Sequence, residues 1–188
     1  MANKVKFGLK NCYYATITED AGGNVTYGTP VALKGAVSMS LAPSGDNTEF
    51  YADDSMYFMA TNNNGYEGTL ELALVPDSFK TDCLGDVKDS NGVMTESANA
   101  VAKPFALLCE FTLDTKARRF AFYRCQASRT DVASQTKGET VDVQTETLNL
   151  TIRPRKDGVV KNYTCEDVDA TTYNGWFNDV YVGTAPSI

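Results

Sequence analysis

Residues 65–86, GYEGTLELALVPDSFKTDCLGD, change their hydrophobic period once, and that change restricts what the chain can fold into. From Thr69 to Val75 the period is two, with Leu70, Leu72 and Leu74 on one face and Thr69, Glu71 and Ala73 on the other. That is the pattern of a half-buried strand. Pro76 cannot donate to a ladder but suits the first turn of a helix, and Asp77 is favourable at the positive end of a helix dipole. Phe79 and Cys83 are four apart and share one helix face, and Gly85 ends the helix as a left-handed cap. One strand thus feeds one short helix.

The rest of the chain reads as β. One Trp, ten Tyr and nine Phe among 188 residues, with abundant Thr and Val, favour strands, and the length fits one domain, 1–188. Strands are predicted at 5–9 and 13–18, with a turn at 20–24. A long strand follows over 31–41, in which Val31, Leu33, Val37, Met39 and Leu41 share a face with Gly35. Gly35 implies a bulge or a bend. Residues 105–113 and 119–125 form a hairpin that is apolar on both faces and therefore central, with Phe120 and Phe122 opposite Ala121, Tyr123 and Cys125. Over 139–155 the parity switches: Val141 and Val143 are odd, whereas Leu148, Leu150 and Ile152 are even. A bulge near 145–147, or a strand crossing between sheets, resolves this. Residues 173–182, with Trp176 and Phe177, form a turn or short helix and then a closing strand at 180–182. The sum is eight to ten strands: a mainly β fold, either a β-sandwich or a partly closed barrel, with one flanking short α-helix.

Residues 43–64 do not follow the core period. Short arms at 48–52 and 56–61 surround an Asp53–Asp54–Ser55 turn and carry Phe50, Tyr51, Met56, Tyr57, Phe58 and Met59. Apolar side chains on a protruding arm want a partner surface. The alternative is a second-layer hairpin folded back on its own domain.

Charge and residue content exclude several functions. A net charge of −7 argues against a nucleic-acid binder of the usual basic kind. There is no histidine, which removes Ser-His-Asp and Cys-His nucleophiles and His-based zinc sites. Five cysteines without a CxxC pair, three of them (Cys83, Cys109, Cys125) near apolar faces, are expected to be buried free thiols. MANKVKFGLKN has no apolar leader core and no run is long enough to span a membrane, so folding in a reducing cytoplasm is expected. Ser134 and Lys137 match S-x-x-K without its companion motifs, and Asp89-Ser-Asn91-Gly92 fails as a calcium loop and reads as a turn. The carboxylate pairs Glu19–Asp20 and Asp53–Asp54 sit in turns. Basic clusters at 116–124 and 153–156 are solvated strand ends, or meet an acidic patch on a neighbouring copy. No catalytic group, metal or cofactor is expected, so binding or assembly remains.

YADD…NNNGYEGTLELALVPDSFKTDCLG, then FALLCEF and QTETLNLTIRPRKDG, after KFGLKNCYYATITED…YGTPVALKGAVSMSL, resembles the major tail proteins of long-tailed, non-contractile bacteriophages. The likeness covers nearly the whole chain. The resemblance implies a structural virion protein, a tail-tube subunit with a β-sandwich or barrel and a flanking helix. It implies rings, usually hexameric, stacked into a tube that surrounds the tape-measure protein and later conducts DNA without sequence-specific binding. Further partners implied are other copies of itself and the tail-tip and tail-terminator proteins. The implied location is the virion tail, assembled in the host bacterial cytoplasm. By position, the arm at 43–64 matches the family loop that contacts the next ring, so Phe50, Tyr51, Tyr57 and Phe58 are expected to bury against another copy. A second reading is a monomeric virion module that binds a host-surface ligand through Tyr13–Tyr14 or Trp176–Phe177. A third, an enzyme, is disfavoured by the missing histidines.

Overall fold

The computed structural model describes residues 3–136 and 142–183. β1 (Lys6–Glu19) is one strand where two were expected, because bulges keep it paired through the break: its register against Phe105–Leu113 shifts between Lys6 and Leu9 and again between Lys10 and Tyr13. Gly8 at φ 123° and Asn11 at φ 51° supply those irregular steps. β2 (Val25–Tyr27) pairs back on β1 after the Gly22–Gly23 turn.

The predicted long strand is broken at Gly35, whose φ is +82°. Before the bend, β3 (Val31–Ala32) pairs with β1; after it, β4 (Ala36–Ser44) pairs with β7 (Gly65–Leu72). A side chain at the bend would press on the Ala73 Cβ, 3.0 Å from an added Cβ. The β4–β7 register then slips by one between Ala36 and Ser38, so Val37 is extra and turns outward while Ala36, Met39 and Leu41 face the core. The expectation for Val37 fails because a bulge exchanges the two faces of every residue on one side of it. Between β4 and β7 the chain makes β5 (Asn47–Ala52) and β6 (Ser55–Thr61), a two-stranded sheet of their own.

Leu70 and Leu72 are buried as expected, but Leu74 is 65% exposed. The strand stops at Leu72, the chain bends, and Val75 takes the third inward place, its N–H donating to Glu146 Oε2 at 2.6 Å. Pro76 precedes α1 (Asp77–Phe79), which continues as one wide π turn, Lys80–Leu84, and ends on Gly85 at φ 89°. Phe79 and Cys83 point inward together. Phe79 meets Tyr14 and Phe105 edge-on, each at 5.1 Å between ring centroids, and the Tyr14 hydroxyl donates to Asp82 at 2.8 Å. The short helix is thereby fastened to β1.

β8 (Val87–Lys88) and β9 (Met94–Thr95) form a small hairpin around the Asp89–Gly92 turn, where Asp89 Oδ1 accepts the N–H groups of Asn91 and Val93. β10 (Phe105–Leu113) and β11 (Arg118–Ala127) are the expected central hairpin. Between Phe105 and Leu107 the pairing shifts, so Cys125 joins Phe122 on the inner face rather than standing opposite it. β12 (Glu146–Ile152) holds only the even set, Leu148, Leu150 and Ile152. Val143 lies before the strand and is exposed, while Lys137 and Val141 lie outside the described residues. Among the described residues the strand starts only at Glu146, after Val143, and its register against β7 runs without a bulge. β13 (Lys161–Tyr163) pairs with β11, and α2 (Ala170–Gly175) is capped by Asp169, which accepts from Thr172 N–H at 2.8 Å. Residues 180–182 form no strand; Tyr181 instead accepts the Tyr123 hydroxyl at 2.6 Å.

The large sheet has nine strands, all antiparallel, along the path β2–β1–β10–β11–β12–β7–β4, with β3 beside β1 and β13 beside β11. The chain from β3 to β4 crosses from near one end of that path to the other, so the sheet curls and leaves β4 near β1 without a ladder between them. The fold is mainly β, as expected, and its large antiparallel sheet is not closed. Strands of two or three residues raise the number to thirteen among the described residues, and α2 adds a second helix. β10 and β11 are buried on both faces. Phe105, Leu107, Cys109, Phe122 and Cys125 face the main core, whereas Ala106, Leu108, Ala121 and Tyr123 face Trp176 and Val180. Among the described residues no helix is long and apolar enough to cross a membrane.

Candidate assembly surface

The β5–β6 hairpin is built by its turn. Asp53 and Asp54 sit at φ 51° and 57°, the pair of left-handed residues that a two-residue type I′ connection demands, and Asp tolerates that region better than most residues. Ala52 pairs with Ser55 across it, and the Ser55 hydroxyl donates to Ala52 O at 3.1 Å. Phe50 opposes Phe58 but Tyr51 opposes Met56, so Tyr57 is an extra residue on β6. Phe50, Phe58, Thr48 and Ala60 share one face, and Glu49, Tyr51, Met56 and Met59 the other. The Tyr51 hydroxyl donates to Glu49 at 2.7 Å, a bond that pushes its pKa up.

Both faces are apolar and both are open. Phe50 is 57% exposed and Tyr57 76%, and Tyr51, Met56, Phe58 and Met59 are exposed as well. The alternative of a hairpin folded back on its own domain leaves these side chains buried, and they are not. Met56 and Met59, not among the four residues named from sequence, are placed like them. An isolated two-stranded ribbon is marginal in water, so this surface has a strong incentive to find cover.

The base of the hairpin is tightly held. The β4–β7 ladder runs out to Ser44 and Gly65 and is continued by Asn64 N–H to Ser44 O at 2.8 Å and Asn62 N–H to Asp46 O at 3.1 Å. A Cβ on Gly65 would lie 1.9 Å from Ile152 O. Arg153 donates to Asn64 O at 3.2 Å and to Glu67 at 2.9 Å, clamping the point where the ribbon leaves the sheet. Residues 43–64 contain Asp46, Glu49, Asp53 and Asp54 and neither Lys nor Arg, more than half the chain's net charge of −7.

The other candidate sites resolve differently. Tyr14 and Trp176 are buried, and Tyr13 stacks on Phe177 at 4.9 Å, so neither aromatic pair forms an open platform. The basic clusters are largely neutralised within the chain. Arg119 meets the buried Glu110 at 2.7 Å, Arg155 pairs with Asp157, Lys156 and Arg124 meet Glu19, and the Lys116 ammonium donates to the carbonyls of Glu166 and Val168. Glu19, Glu166 and Val168 are distant in sequence and Glu110 meets Arg119 only across the hairpin, whereas Asp157 is two residues from Arg155. Cys12, Cys83, Cys109 and Cys125 are buried free thiols and Cys165 is exposed. Burial pushes Cys12 and Cys83 up to about 12 and raises Cys109 and Cys125 above the ordinary thiol value too, which makes them poor nucleophiles. Ser134 lies in an irregular exposed segment.

A family model described as phage tail tube protein matches residues 2–151, a span that includes the hairpin and every strand of the large sheet except β13 and the last residue of β12. No curated protein matches the chain. A match over most of the length identifies the family, and this chain belongs to the phage tail tube proteins.

Proposed function

We propose that the whole chain, 1–188, acts as one wall unit of a tail tube, in hexameric rings that stack through the hairpin at 43–64. The family is structural rather than enzymatic, and its members serve in the virion tail. The observation that carries the stacking role is the β5–β6 ribbon, apolar and exposed on both faces. Phe50, Tyr51, Tyr57 and Phe58 bury against another copy when rings meet. The finished tube encloses the tape-measure protein, ends at tail-tip and tail-terminator proteins, and passes DNA without reading its sequence. The net charge of −7 suits a conduit that phosphates must not adhere to. Assembly takes place in the host bacterial cytoplasm.

Negative-stain electron microscopy of concentrated protein tests this. The wild-type chain forms rings and tubes. Phe50→Ser/Tyr57→Ser stays folded, because neither side chain packs into the core, yet does not elongate. Normal tubes from that variant would overturn the role given to the hairpin.

A further inference from the structure

The curled sheet stops short of closing. β1 is paired with β10 along one edge, but over Lys6–Asn11 its other edge has no ladder partner among the described residues, and the outer edge of β4 has none either. Between these edges lies a cleft of about 340 Å³, lined by Leu9, Lys10, Asn11, Leu33, Lys34 and Ala36 among others. Phe7 on β1 and Val37 on β4 are exposed.

The seam is also basic. Residues 3–13 and 31–44, which form its two sides, contain Lys4, Lys6, Lys10 and Lys34 and no Asp or Glu. Lys10 reaches Glu110 at 3.3 Å, a carboxylate already held by Arg119, and Asp114 accepts the backbone N–H of Lys4 at 2.9 Å. Among the described residues no carboxylate lies within ion-pair distance of the Lys4, Lys6 or Lys34 ammonium groups. Elsewhere Arg119, Arg124, Arg153, Arg155 and Lys156 each meet a carboxylate of their own subunit. Lysines on an open edge discourage indiscriminate strand pairing but remain available to an acidic partner.

We propose that this seam receives the β5–β6 hairpin of a second copy. The fit is one of charge and of surface. The hairpin carries four carboxylates and no cation over 43–64. The seam carries four lysines, of which Lys10 meets Glu110 and Lys6 lies over the Phe111 ring, and Glu71 of β7 reaches Ser38 at its edge. The hairpin's exposed aromatic and methionine side chains match the exposed Phe7 and Val37 and a cleft roomy enough for one aromatic ring. Apolar contact supplies the burial, and the opposed charges set orientation and reject wrong partners. This rests on the reading of the hairpin as an arm between copies and adds the surface that the arm meets.

A charge swap tests it, with folding followed by circular dichroism melting and assembly by sedimentation velocity and negative stain. Lys6→Glu/Lys34→Glu on the seam and Asp46→Lys/Glu49→Lys on the arm each leave a folded subunit that needs about tenfold or more additional protein to form tubes. The two pairs combined in one chain restore assembly. Wild-type assembly by the seam variant overturns the proposal, and so does a loss that the combined swap does not restore. In either case the arm reading survives if Phe50→Ser/Tyr57→Ser still fails to elongate, and falls separately if it does not. Should the double seam variant not fold, Lys34→Gln alone weakens the salt dependence of assembly, and an unchanged salt dependence would contradict the seam's role.

Discussion

The β10–β11 and β5–β6 hairpins are both apolar on both faces, and the chain covers only the first. On one side of β10–β11 lie Leu70, Leu72, Phe79 and Leu148; on the other lie Trp176 and Val180. On either side of β5–β6 the described residues place nothing that buries it. Two-sided apolarity has the same physical consequence in both places, a ribbon stabilised by cover on each face. Under the proposed function the cover for the second comes from other copies. Within the family to which this chain belongs, the missing layers of the second ribbon are best sought on other copies.

The contrast can be broken from the buried side. Leu72→Asp places a carboxylate in the main core and should cost more than about 4 kcal/mol, enough to leave no cooperative thermal transition. The same change at Phe50 should shift the melting free energy by no more than about 0.5 kcal/mol. A melt showing comparable losses at both positions would mean that the ribbon packs on its own subunit. The outer layer is tested by Trp176→Ala. Its indole is buried, donates to Phe120 O at 3.4 Å and stacks on Tyr181, so its removal should cost about 3–5 kcal/mol by chemical denaturation. A loss below about 1 kcal/mol would show that α2 and the segment after it do not stabilise the central hairpin.

A pH-dependent effect follows from the thiols of the buried side. Cys12, Cys83, Cys109 and Cys125 have folded pKa values raised above the ordinary 9.0, so the native state holds its protons where the unfolded state releases them. Their contribution is intact below pH 9 and declines as pH rises toward 12, by up to about 1.4 kcal/mol per pH unit for each thiol. Urea midpoints should be flat with respect to these thiols from neutral pH to about 8.5 and then fall. Replacing Cys109 with Ala should reduce the slope; an unchanged slope would mean that other groups set it.

Much of this architecture is legible in the residues. Alternation at 105–113, the Pro76 entry and Gly85 exit of the short helix, and the Asp53–Asp54 turn are all local signals, and each is found where expected. What escaped is non-local. Val37 and Cys125 change faces because their own strands carry one residue more than the partner beside them, and nothing in their alternation records the partner's register. Gly35 announces a bend but not that the chain exchanges β1 for β7 across it. Leu74 yields its inward place to Val75 because the strand ends two residues early, which the leucine repeat conceals. The arm's side chains stood out because they interrupt the core pattern. The lysines of the seam did not, because residues 3–13 and 31–44 become neighbours only when the sheet curls.

Oxidative footprinting of assembled against unassembled protein measures the central contrast most directly. Hydroxyl radicals should modify Phe50, Met56, Tyr57 and Met59 readily in the monomer and at least about tenfold more slowly in tubes, whereas Trp176 and Tyr14 should stay protected in both. Equal modification of the arm in monomer and tube would contradict the account, since the ribbon's faces would then remain uncovered where other copies are supposed to cover them.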